Sequence, residues 1–427
     1  MVSTTNNEKS AIQNQMLSYI SEALERADGK YKCHVNPDEK WVKYGILRVL
    51  HKHDSGREFF QDMRMDSLGE LDIVRQDFQE GLKSKRRLRH LTSINDHYLE
   101  PRAQHSWKQR DGGFHELLDS FHIYAADGHF HAASTHEERD EKGRKHAIGH
   151  LYALNMRNRD VSHLALSSDG TRKKPHDLGT LKKMDIDALR QNAKKGQKVL
   201  YLWDRACIDF EWWMKCKHNK GVYFVTRSKE NMKKEVIGDV AIKHDCAENS
   251  GVIADQIIMA GGAEAIRMIT YQDLETGTEY EFITNLHGSI PPGVIVQLYR
   301  MRWDIEKVFN DFKSKLEETK AWSKSLTGKR MQAQFMILVY NILLRLRDTV
   351  EQEGVIDPSL DRQRERRWKA TLETYAIAEQ RVPKWLEKLR RVTQIGVRFI
   401  RWARSLFLRE SSWSQAVSLL DGEYSRK

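Results

Sequence analysis

The stretch Val294–Leu316 constrains this chain more than any other. It reads Val-Ile-Val-Gln-Leu-Tyr-Arg-Met-Arg-Trp-Asp-Ile-Glu-Lys-Val-Phe-Asn-Asp-Phe-Lys-Ser-Lys-Leu and follows Pro291-Pro292, residues that suit the start of a helix better than its interior. Met301, Ile305, Val308, Phe309, Phe312 and Leu316 recur at spacings of three and four, which predicts one amphipathic helix. On it Tyr299, Arg302, Glu306 and Lys313 stand at i, i+3, i+7 and i+14. At about 100° per residue all four fall within an arc of roughly 60°. The expected helix packs one side on a core and presents a phenol, a guanidinium, a carboxylate and an ammonium in a row beside it. Periodicity alone also fits a solvated charged face with one exposed Tyr.

The charge balance points outward to a polyanion. The formal net charge is +11 over 427 residues, with a pI of about 9.2, and basic proteins of this kind favour polyanionic partners. Residues 361–427 hold sixteen Lys or Arg against eight Asp or Glu. The four cysteines, Cys33, Cys207, Cys216 and Cys246, form no C-x-x-C pair. Reduced thiols and a cytoplasmic setting are expected. The first residues lack the apolar run of a signal peptide. The most apolar run, Phe335–Leu346, contains Asn341 and Arg345. It falls short of the ~20 residues a membrane span needs and reads as a buried helix, so no membrane partner is expected. Neither a Gly-x4-Gly-Lys-Ser/Thr loop nor a Gly-x-Ser-x-Gly elbow occurs.

Read in order, residues 1–115 are helical and polar, with apolar helical rhythm over Ile12–Ala27, Trp41–His53 and Ser67–Leu82. The basic run Lys83–His90 fits either a solvated helix end or phosphate contacts. From Phe121 the pattern becomes strand-like. Phe121–Ala126, Ala147–Leu154, Val161–Leu166, Lys198–Trp203 and Gly221–Thr226 read as strands, and Leu181–Lys195 as a helix. Asp127-Gly128 and Asp204-Arg205 close the first and fourth of these strands. An Asp ending a strand is often a turn former, but at a sheet rim it can also hold a hard cation. Glu306 stands 102 positions after Asp204, an interval long enough for an insertion. There, Ala265–Gln272 and Tyr280–Leu286 alternate around Asp273–Gly277 and predict a hairpin.

Tyr-x2-Arg-x3-Glu-x6-Lys, with Asp127 in Ala-Asp-Gly and Asp204 in Leu-Trp-Asp-Arg upstream, resembles bacterial transposases of the insertion sequence 4 family. The resemblance covers about residues 120–320. It implies an α/β, ribonuclease H-like mixed-sheet core (116–226 and 291–350) with a β-rich insertion (227–290). It implies a helical N-terminal DNA-binding region (1–115), and a basic helical C-terminal region (351–427) completes the expected organisation. The implied activity is cut-and-paste DNA transposition, cleaving element ends and joining them to target DNA, with hairpin ends suited to it. Asp127, Asp204 and Glu306 would be the catalytic metal ligands, holding two Mg²⁺ ions for which Mn²⁺ can substitute. Such a pair activates the attacking oxygen and steadies the leaving one. Tyr299, Arg302 and Lys313 would hold the DNA backbone, and Trp303 would stack on an extruded base or pack between domains. The implied partners are double-stranded DNA and a second protomer in the synaptic complex.

Two other readings stay open: a DNA-binding protein that has lost catalysis, although all three carboxylates are present, and a nuclease of the same core that never joins DNA. His129, His131, His146 and His150 form a weaker cluster, without the cysteines of a zinc site. The tail Lys384–Arg409 interleaves Trp385, Phe399, Trp402 and Phe407 with arginines. It suits dimerisation with phosphate contact, or a membrane surface.

Overall fold

A computed structural model describes residues 38–51, 55–65, 73–99, 116–171, 177–260, 264–352, 354, 359–378, 381, 383, 395–408 and 415–420. The expected helix Ile12–Ala27 lies outside them, as do residues 67–72 and 384–394. In chain order the helices are α1 (Asp38–Leu50), α2 (Gly56–Met65), α3 (Arg75–Gly81), α4 (Lys85–Leu99), α5 (Asp177–Leu181), α6 (Phe210–Lys220), α7 (Pro292–Met301), α8 (Asp304–Ser314), α9 (Leu326–Gln352), α10 (Ser359–Ile377) and α11 (Ile395–Leu408). The strands are β1 (Phe121–His131), β2 (Ile148–Asn155), β3 (Val161–Asp169), β4 (Lys198–Leu202), β5 (Val222–Arg227), β6 (Lys234–Asp239), β7 (Val252–Ala260), β8 (Glu264–Gln272) and β9 (Glu279–Thr284). Two compact units result, one of Tyr98–Asp311 with Thr319–Ala333, the other of Met1–His97, Phe312–Glu318 and Gln334–Lys427.

The first unit is built on one nine-stranded sheet of order β3-β2-β1-β4-β5-β9-β8-β7-β6. β1, β2 and β3 run antiparallel, while β1, β4 and β5 run parallel. That half is the mixed sheet of a ribonuclease H-like core. β9, β8, β7 and β6 extend the same sheet antiparallel. The expected hairpin is present as β8 and β9. β6 and β7 were not read as strands: β6 is short and almost wholly exposed, and the apolar run of β7 is interrupted by Asp255-Gln256.

Alternation along the parallel strands sorts the side chains onto two faces. Tyr124, Ala126, Val199, Tyr201, Trp203, Val222 and Phe224 face one way and meet Trp212, Trp213 and Cys216 of α6. Tyr201 stacks between Tyr124 (5.4 Å) and Trp203 (5.4 Å), and Trp213 stacks on Phe224 at 5.0 Å. α6 itself is delimited by local chemistry. Asp209 caps its start by accepting from the Trp212 N–H at 2.9 Å, and Gly221 ends it with φ of 64°, the left-handed geometry that favours glycine. On the opposite sheet face, Phe309 of α8 lies 5.0 Å from His129 and 5.9 Å from Tyr152.

Three expectations are corrected. Val294–Leu316 is two helices, not one: α7 and α8 are separated at Arg302-Trp303. Arg302, Ile305 and Glu306 donate N–H bonds to Tyr299, Arg302 and Trp303, the i→i+3 pattern that tightens a helical chain into a turn. The stretch 181–195 contains the end of α5 and a 3₁₀ turn, Ile186–Arg190, because the Asp185 carboxylate takes the Asp187 N–H and restarts the chain. β1 does not stop before Asp127 but runs through it to His131, held by antiparallel pairing with β2.

In the second unit, the expected buried helix is the part of α9 from Gln334 onward, where Phe335–Val339 and Asn341 are buried. The basic run at the start of α4 is largely engaged: Arg86, Arg87 and His90 converge on Asp38 of α1. In the tail, α11 buries Phe399, Ile400, Trp402 and Ala403 within its own unit, and the Trp402 indole donates to the Ala416 carbonyl at 2.5 Å. Among the described residues no helix is long and apolar enough to cross a membrane.

Candidate active site

Strand pairing sets the two aspartates. β1 and β4 are parallel, with the last pair in register Ala125 opposite Leu202. Two residues further along both strands come Asp127 and Asp204, at matching height and on the same side of the sheet. Asp127 lies in a strand that continues, whereas Asp204 leaves its strand and caps a 3₁₀ turn by accepting from the Ala206 N–H at 2.7 Å. Thr226 at the end of β5 donates its hydroxyl to the Asp204 carbonyl at 3.0 Å and fixes that exit.

Glu306 enters from α8, over the sheet face that carries Asp127 and His129. The N-terminal end of α8 is tied down through Asp304, which pairs with Arg159 of the β2–β3 turn at 2.5 Å. Gly293 in α7 has no room for a side chain: a Cβ there would meet the Glu248 carbonyl oxygen at 1.7 Å. Glycine thus lets α7 lie against the turn 247–249 of the insertion.

Arg302 joins the parts. One guanidinium nitrogen donates to Asp127 Oδ2 at 3.0 Å and another to Glu306 Oε1 at 3.1 Å. The guanidinium carbon lies 5.9 Å from the Tyr299 ring centre and 5.6 Å from that of Trp303. Arg302 and Tyr299 are buried, while Trp303 is 60% exposed. The structure therefore brings Asp127, Asp204, Tyr299, Arg302 and Glu306 together despite the break between the helices. Lys313 is exposed near the end of α8, in the stretch that belongs to the second unit.

The electrostatics are those of a crowded acidic site. Burial raises the Asp127 carboxyl to about 6, and the nearby Asp204 and Asp177 carboxylates push in the same direction against the Gly128 N–H and Arg302. Burial also raises the Tyr299 phenol, which feels Asp204 as well as Arg302. Cys207 lies beneath, its thiol pushed up by burial and by Asp204, Asp177 and Asp127.

Asp177 is the residue the sequence did not reveal. It begins α5, and its Oδ2 would come within 2.7 Å of a Cβ on Gly128. It stands in the turn-rich segment Ser167–Gly179, where no local pattern separates a functional carboxylate from a turn former. The histidines regroup too. His129, His131, His150 and His163 cluster on β1, β2 and β3, with His131 stacked on His150 at 5.5 Å and a 3.0 Å contact between His150 and His163. His146 lies apart on a loop with Asp140, at 3.0 Å.

Among the described residues no three His, Cys, Asp or Glu side chains are arranged to hold a metal ion as they stand. The positive charge between Asp127 and Glu306 is instead the guanidinium. The donor set still suits a hard divalent cation: all its atoms are oxygens, and a neighbouring cation would relieve the charge crowding at Asp127.

No curated protein sequence matches this chain. Among solved structures it is similar to a piggyBac transposase in its synaptic complex with hairpin DNA, determined by cryo-EM; identity is 10%, 94% of this chain and 80% of that chain are covered, and the TM-score is 0.41. The family description "transposase DDE domain" matches residues 117–342, more than half of the chain, including the whole of the sheet that carries Asp127 and Asp204 and the helix α8 that carries Glu306. The chain belongs to the transposase DDE domain family and is a DNA transposase.

Proposed function

We propose that this transposase is of the insertion sequence 4 type and moves its element by cut and paste. It cleaves both ends of the element and joins them to target DNA, with double-stranded DNA as substrate and a homodimer as the synaptic form, in the bacterial cytoplasm. The observation that carries the reading is the matched height of Asp127 and Asp204 on adjacent parallel strands, with Glu306 tied to the first through Arg302.

In this reading Asp127, Asp204 and Glu306 hold two Mg²⁺ ions, or Mn²⁺ in their place. Bound there, the ions would supply Lewis-acid activation of the attacking oxygen and charge stabilisation of the leaving one. The three carboxylates act as ligands and not as general bases, so one site serves water, a freed 3′ hydroxyl and target DNA in turn. Arg302 offers a planar fork to a phosphate, a geometry suited to bidentate contact, and Tyr299 and Lys313 add backbone contacts. Trp303 presents an exposed indole beside that fork. Unstacking a base costs a few kcal/mol, and stacking on an aromatic returns about 1–3 kcal/mol, which suits the sharp bend of a hairpin intermediate.

The test is a supercoiled plasmid carrying the DNA that flanks the gene, incubated with the full chain and Mg²⁺. Excised and joined products are expected from the wild type. Asp204→Ala should still bind the ends in a gel shift yet cut nothing. Normal cutting by that variant would remove Asp204 from the active site, and nicking with no joined product would make the protein a nuclease.

A further inference from the structure

We infer that Arg302 is a latch on the acidic centre: without DNA its guanidinium occupies the place of a cation between Asp127 and Glu306, and a DNA phosphate must draw it away before those carboxylates can accept a divalent ion. The inference rests on the proposed reading of the three carboxylates as metal ligands. It adds that metal binding and end binding are coupled through one side chain.

Three observations carry it. Arg302 spends two nitrogens on two different carboxylates, Asp127 at 3.0 Å and Glu306 at 3.1 Å. A guanidinium lodged between those oxygens leaves no room there for a cation. Second, the latch is incompletely satisfied. Among the described residues, Arg302 Nε is buried without a hydrogen-bond partner, and a buried donor left unpaired is costly. Third, the side chain has somewhere to go. It sits beside the exposed Trp303 ring, at the turn between α7 and α8. There a phosphate would offer it a bidentate acceptor in exchange for two carboxylates.

Linkage makes the coupling reciprocal: whatever DNA does for the metal, the metal does for DNA. A chain without DNA would hold metal weakly.

The experiment measures Mn²⁺ affinity of the full chain by titration calorimetry and by electron paramagnetic resonance, without DNA and with duplexes of the DNA flanking the gene. Wild type, Arg302→Gln and Arg302→Lys are compared. Without DNA, both variants should bind Mn²⁺ about tenfold more tightly than wild type, within the usual range of coupling between sites. DNA should tighten Mn²⁺ binding to wild type by a similar factor and have little effect on either variant. The lysine variant is decisive because it keeps the charge but loses the fork. If Arg302→Gln tightens binding and Arg302→Lys does not, simple charge repulsion suffices and the latch is wrong. Equal effects of DNA on all three proteins would also overturn it. The DNA dependence is read on both variants, so a folding defect in one leaves the other conclusive. Asp127→Asn and Asp204→Asn separate the two levels of the argument. If they leave Mn²⁺ binding intact, the carboxylate centre itself fails. If they abolish it while the Arg302 variants behave as wild type, only the latch fails.

Discussion

Asp127→Asn should make the protein less sensitive to rising pH. Asp127 ionises near 3.8 in an unfolded chain and near about 6 in the fold, chiefly because of burial. A carboxyl whose native value is raised favours the protonated native state. Its contribution to stability is complete below 3.8 and is lost as pH climbs through 6. A rise from 3.8 to about 6 corresponds to about 3 kcal/mol. That figure is a ceiling, because the side chain keeps 23% of its exposure. Asparagine retains an oxygen to accept the Gly128 N–H and carries no charge to desolvate. Urea unfolding in the presence of a chelator is followed by tryptophan fluorescence, to which the buried Trp203 and Trp213 of the sheet unit contribute. Between acid and neutral pH the wild type should lose up to about 3 kcal/mol more than the variant. Excess Mg²⁺ at neutral pH should recover much of that loss in wild type alone, since a ligand that binds only the native state stabilises it. Parallel pH curves for the two proteins would refute the argument: Asp127 would then be solvated, and the crowding derived from Asp204 and Asp177 would not exist.

Two further outcomes follow from the same structure. Arg267 and Asp255 form an ion pair in the insertion with side-chain exposures of 1% and 0%. Arg267→Met leaves a buried carboxylate uncompensated and should cost about 3–5 kcal/mol in urea unfolding, whereas Arg267→Met with Asp255→Leu should cost much less. Trp303→Ala should change stability by less than about 0.5 kcal/mol, because the ring is exposed, yet weaken capture of a processed end by about 1–3 kcal/mol in a gel shift. A thermal-melt shift as large as that of a core tryptophan would place Trp303 in packing instead.

The parts of the fold that were legible are those where one local rule decides the outcome. Alternation and β-rich runs placed β1 to β5; among them β1, β4 and β5 are parallel strands, buried on both faces and so read as near-continuous apolar segments. The hairpin of β8 and β9 was visible through Asp273, which takes the Thr276 and Glu275 N–H groups in its turn. The carboxylates on β1, β4 and α8 could be named, but not their arrangement, since strand order and register are long-range properties. The break at Arg302-Trp303 escaped periodicity because its residues keep helical spacing; the tighter hydrogen bonds of the turn, not the side-chain pattern, set the kink. Asp177 was hidden for another reason. Its closeness to Asp127 depends on where a turn-rich segment returns, and nothing in residues 167–179 encodes that locally.

The level pairing of β1 with β4 has a practical corollary. Main-chain bonds between adjacent strands, and not the path of the intervening polypeptide, fix how far Asp127 stands from Asp204. The exposed turns 141–144 and 194–196 can therefore be lengthened or tagged without moving that pair. Inserting a single residue inside either strand would turn one carboxylate to the far side of the sheet, into the aromatic layer around Trp213.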